Sequence, residues 1–108
     1  MTKNTVALVL AGMILFAGCS IPLGHSFPSP DPGMITAGQT DKAFLLRVFG
    51  EPYQVGLDSG NQTWKWFSGQ RGVSTESTKE LNVIFNADGT VKSFSFLSNF
   101  PQDMARMK

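Results

Sequence analysis

The sequence predicts an α+β domain, a short helix or two packed on a three-stranded antiparallel β-sheet. Three observations predict it. Phe44, Leu45, Val48 and Phe49 recur at the helical spacing i, i+1, i+4, i+5. Downstream, three segments carry apolar residues with the period of two that places alternate side chains on one sheet face. Short runs rich in Gly, Asn and Asp separate the elements, as turns and antiparallel hairpins require. One face of such a sheet must be covered, and the helix is the cover on offer.

The chain opens on a different pattern. Residues 6–16 are apolar apart from Gly12, carry no charge and follow Lys3. A spanning helix needs about 20 apolar residues. This shorter run fits the hydrophobic region of a secretory signal peptide, predicted over residues 1–18. It ends in Phe16-Ala17-Gly18-Cys19, which looks like the lipobox of bacterial lipoproteins. Ala17 and Gly18 suit a narrow peptidase groove, and Cys19 offers a sulfur for a diacylglyceryl thioether. The resemblance implies cleavage before Cys19, a diacylglyceryl and an N-acyl lipid on it, and anchoring in a membrane. Each buried CH₂ contributes about 0.8 kcal/mol, so two or three acyl chains on one residue hold far more firmly than one. In enteric lipoproteins an Asp after the cysteine retains the protein in the inner membrane. Ser20 stands there instead, which implies the outer membrane, periplasmic face.

Residues 19–34 read as a tether. Pro22, Pro28, Pro30 and Pro32 alternate with Ser and Gly. Proline removes backbone donors and biases its predecessor to extended geometry. At about 3.1 Å per residue such a segment reaches on the order of 45 Å. His25 stands alone in it as a solvated linker histidine. The folded domain is expected over residues 35–100, followed by a tail, 101–108, with at most a turn of helix after Pro101.

The helix is predicted over 41–49. Thr40 is its expected N-cap, and Asp41 complements the positive end of the helix dipole. Gly50 supplies a stop and Pro52 prevents continuation. Residues 53–61 read as a turn-rich connection. A strand over 63–67 places Trp64 and Trp66 on one face. A second, 80–86, places Leu81, Val83 and Phe85 together. Gly89 closes a tight turn into a third, 90–97, in which Phe94 and Phe96 share a face. Val91 has the opposite parity there, so either a bulge corrects the register or Val91 points outward.

These pieces together resemble the SmpA/OmlA (BamE) family of small lipoproteins of the outer-membrane β-barrel assembly machinery. The resemblance is carried by Ile35-Thr36-Ala37-Gly38-Gln39-Thr40 and Phe49-Gly50-Glu51-Pro52. It continues through Asn61-Gln62-Thr63-Trp64-Lys65-Trp66, Leu81-Asn82-Val83-Ile84-Phe85-Asn86 and Asp88-Gly89-Thr90-Val91. It covers about residues 35–97. It implies a BamE-like fold and a non-catalytic accessory of outer-membrane protein assembly or envelope integrity, with assembly proteins as partners. Its alternative is a tethered periplasmic binding or inhibitor module, since osmotically inducible lipoproteins and β-lactamase inhibitors share the small fold. Members of the family carry a short helix ahead of the Gly-x-Thr cap. Here Pro-rich sequence occupies that region, so the helix is expected to be shortened or missing.

Composition narrows the chemistry. The chain has 108 residues, enough for one domain, and a formal net charge of +1. That charge supports no non-specific grip on nucleic acid. One Cys allows neither an internal disulfide nor a cysteine-rich zinc site. No nucleophile–base set is available once Cys19 is acylated, and Asp58, Glu76, Glu80 and Asp88 fall where carboxylates cap and solvate. No catalytic residue, metal, cofactor or small-molecule substrate is therefore expected. Trp64 and Trp66 read either as core or as a docking anchor at the sheet edge. Phe67 and Ile84 fall on the opposite face. With Val91 or Leu97 they would form an apolar stripe for a partner, and Arg71, in the long polar loop over 69–79, is a further candidate contact. With Lys79 it makes two basic residues in that loop, too few to assign lipid head groups.

Overall fold

The computed structural model describes residues 21–108. The lipobox residues Phe16, Ala17, Gly18 and Cys19, and the predicted signal peptide, lie outside the described residues. In chain order the elements are β1 (Ile21–Gly24), α1 (Lys42–Phe49), β2 (Gln54–Asp58), β3 (Asn61–Arg71), β4 (Glu76–Phe85), β5 (Val91–Ser98) and α2 (Pro101–Met107). The fold is α+β, with two helices on a five-stranded antiparallel sheet. None of the described helices is long and apolar enough to cross a membrane.

The expected three strands are β3, β4 and β5; the structure adds two. β3 is the longest strand and receives β4 along one edge. Its other edge is shared. β2 pairs with residues 61–65 and β1 with residues 68–71. β2 occupies the segment expected to be a loop. Its Val55 and Leu57 alternate with Gln54, Gly56 and Asp58, and Ser59-Gly60 turns it into β3. Both turn residues have positive φ, 51° and 87°. That is the mirror-image turn whose twist matches a two-residue hairpin.

The core follows the predicted parity. Trp66 from β3 and Leu81, Val83 and Phe85 from β4 are buried on one face. Leu45 and Phe49 of α1 lie over them, and Trp64, Phe96, Phe44 and Val48 pack around the rim. The Val91 alternative resolves as a bulge. Ile84 pairs with Ser93, yet Phe85 pairs with Val91, so one extra residue turns Val91 back into the core, where it is fully buried.

Asp41, not Thr40, caps α1: its carboxylate accepts the Phe44 N–H at 3.0 Å. Thr40 ties the preceding turn to the sheet instead. Its hydroxyl accepts the Thr36 N–H at 2.8 Å, and its carbonyl accepts the Val91 N–H at 2.8 Å. Gly38 donates to the Val91 carbonyl in the same seam. Gly50 ends the helix at φ 81°, a conformation that disfavours side chains. Its N–H donates to Leu46 and its carbonyl accepts Trp66 Nε1–H at 3.0 Å, so the helix stop is bonded to the sheet. Pro52 follows at the reversal into β2, and the Gly89 N–H closes the β4–β5 turn on the Asn86 carbonyl.

The Pro-rich segment does not run free from its first described residue. β1 is hydrogen-bonded to β3, a place where Pro22 is tolerated because the strand is an edge. Phe27 and Ile35 are buried in the core, and Phe27 packs edge-on against Phe49 and Phe96. Residues 25–41 contain no regular helix. The C-terminal tail is the helix α2, and it clasps this segment. Asp103 of α2 is buried and accepts hydrogen bonds from Ser29 Oγ at 2.9 Å and Ser98 Oγ at 2.6 Å. Arg106 pairs with Asp31, and Lys79 reaches Ser29 and the Phe27 carbonyl between the rings of Phe27 and Phe100.

Candidate protein-docking site

The structure separates the residues expected to form a partner surface. Trp66 is core: it is 2% exposed and its indole N–H is committed to Gly50. Phe67 and Ile84 do lie on the uncovered face, half-buried. No apolar stripe joins them. The register places Lys65 and Asn82 between them, and the Lys65–Glu80 ion pair, at 2.8 Å, crosses the same region. Val91 is withdrawn into the core by the bulge, leaving Leu97 exposed beside Glu80. Arg71 is exposed at the far end of β3, paired with Glu76 at 3.5 Å.

The carboxylates singled out by sequence do not converge. Glu80 is taken by Lys65 and Glu76 by Arg71. Asp88 lies in the β4–β5 turn, where the Thr90 hydroxyl and then the Thr90 backbone N–H hold its carboxyl below the usual range. Among the described residues no three His, Cys, Asp or Glu side chains come together as metal ligands would.

A different surface is exposed and apolar. Val55 and Leu57 of β2 are 71% and 74% exposed. Val55 pairs with Trp64, so both stand on the helix side of the sheet. With Gly56, Gln62 and Trp64 they line a groove of about 410 Å³ between β2 and the start of α1. Trp64 forms its floor, half-buried and held edge-on to Phe85 at 4.9 Å. Lys42 stands at its lip, its ammonium 5.4 Å from the Trp64 ring and hydrogen-bonded to Gln62. Among the described residues the outer edge of β2 has no strand partner.

Two incomplete surfaces therefore coincide: an unpaired backbone edge, and large apolar side chains beside a tryptophan. Burying a Val or Leu side chain fully contributes about 1.5–3 kcal/mol. An open edge can add an extended segment of another protein through main-chain hydrogen bonds, with alternate side chains entering neighbouring pockets. Lys42 would favour an acidic or carbonyl-rich segment at that lip. The sequence reading missed Val55, Leu57 and Lys42. The alternation of Gln54-Val55-Gly56-Leu57-Asp58 before Ser59-Gly60 was the available signal.

Comparison with protein-family models, with curated proteins and with solved structures finds no match for the chain.

Proposed function

We propose that the mature chain is a non-catalytic lipoprotein of the bacterial envelope, acylated at Cys19. It docks other envelope proteins through the β2 edge and the Trp64 groove. The observation that carries the docking is the exposure of Val55 and Leu57 on an unpaired edge strand beside Trp64. The apolar run ending in Phe16-Ala17-Gly18-Cys19 supports the anchor. The motif order over residues 35–97 supports assembly proteins of outer-membrane β-barrels as the partners, on a BamE-like fold facing the periplasm.

A pull-down of the full-length protein from detergent-solubilised membranes tests this reading. Barrel-assembly proteins should copurify with the unaltered chain and be lost with Leu57→Lys. Consistent absence of those proteins from the unaltered preparation refutes the assignment. Recovery of a soluble periplasmic enzyme in their place moves the reading to a tethered binder or inhibitor.

A further inference from the structure

We infer that the domain sits directly on the bilayer, end-on, with Ile21 and the β3–β4 turn against the lipid and the β2 docking edge turned away. This rests on acylation of Cys19 as proposed above and adds where the domain stands and which residues meet the membrane.

The argument starts from chain length. Only Ser20 separates Cys19 from β1, and two residues span about 7 Å at full extension. β1 is hydrogen-bonded into the sheet from Ile21 onward, so the long reach expected of the Pro-rich segment is absent where it would be needed. The anchor is thus fixed to one end of the sheet. Ile21 pairs with Arg71, and Arg71 in turn pairs with Glu76 across the mouth of the β3–β4 turn.

That end carries the surface a bilayer interface accepts. Val73, at the tip of the turn, is 100% exposed, and Ile21 is 59% exposed. The Gly72 N–H donates to the Thr75 carbonyl at 2.7 Å, which holds the tip closed and Val73 outermost. Arg71 is exposed beside them, where its charge meets head-group phosphates while Glu76 limits the net attraction. Apolar contact and the acyl chains, not charge, set the orientation.

The other end faces away. β3 runs from Arg71 back to Asn61, and at about 3.3 Å per residue the segment paired with β2 lies roughly 20–33 Å from the Arg71 end. Anchor and docking edge are therefore on opposite ends of one rigid sheet. Periplasmic partners are met at a set height above the lipid.

The test uses the full-length acylated protein, purified from membranes and reconstituted into phosphatidylethanolamine/phosphatidylglycerol vesicles. Val73→Cys and, at the opposite end, Ala87→Cys each provide one free thiol, because the chain's single cysteine carries the lipid. Both positions are exposed, so neither change disturbs the core. Each thiol is labelled with a polarity-sensitive fluorophore, and quenching by doxyl lipids in the bilayer is measured. The Val73 label should be quenched several-fold more strongly than the Ala87 label and emit at shorter wavelength. Equal quenching on a protein whose Cys19 peptide has the mass of the diacylglyceryl form overturns the orientation alone. An unmodified Cys19 peptide overturns the lipoprotein reading and the orientation with it.

Discussion

Asp103 shows how one residue closes this fold. Burial opposes its ionisation more than any other single influence. The hydrogen bonds from Ser98 and Ser29, with the charges of Lys79 and Arg106, together outweigh that cost and hold the carboxyl below the usual carboxylate range. Folded-state ionisation is thus easier than unfolded-state ionisation. The group adds stability above the unfolded carboxylate pKa, and that contribution drains away as pH falls through the lower, folded value. Urea unfolding should therefore show stability declining below about pH 4, the ordinary range for Asp. Asp103→Asn should be less stable at pH 7 by about 1–3 kcal/mol, the cost of disrupting buried hydrogen bonds to a charged group. It should also lose less on acidification than the unaltered protein. Parallel pH profiles for the two would contradict this role. Ser98 and Arg106 are near it in the chain, but the bond that ties Asp103 to the Pro-rich segment is not legible, because Ser29 lies 74 residues away.

At the scale of elements, β1 and β2 separate what local pattern encodes from what it does not. β2 is written in the sequence as alternation, Val55 and Leu57 two apart, followed by the Ser59-Gly60 turn. β1 is four residues with a proline, and no periodicity distinguishes it from a linker. What docks the segment is Phe27 entering a core assembled from α1, β3 and β5, which only the folded chain reveals. Phe27→Ala should therefore cost about 3–5 kcal/mol. A free tether would lose nothing, so an unchanged denaturation midpoint would contradict the docked segment. The exposed strand predicts the opposite. Val55→Lys and Leu57→Lys should each change stability by no more than about 0.5 kcal/mol in the same assay, since surface substitutions away from packing features rarely do more. The α1 helix, the strands β3, β4 and β5 and the shared parity of Trp66, Leu81, Val83 and Phe85 were all legible. Their apolar residues repeat with the period of the element that buries them. The β4–β5 bulge was legible as a conflict, Val91 against Phe94 and Phe96, and only pairing could decide which side gave way.

At the scale of the molecule, the proposed anchor and the proposed docking edge divide the sheet between them. The uncovered face, expected to carry the partner stripe, is broken up by Lys65, Glu80 and Asn82, which solvate it. Val55 and Leu57 are exposed instead at the β2 edge, where unpaired backbone lies beside them. The central claim is that partners are met there and not on the open face. In-cell photo-crosslinking tests it most directly, with a photoreactive amino acid at Leu57 in one strain and at Leu97, also exposed and on the open face, in another. The account predicts adducts with outer-membrane assembly proteins from Leu57 and none from Leu97. Adducts from Leu97 with Leu57 silent would contradict it.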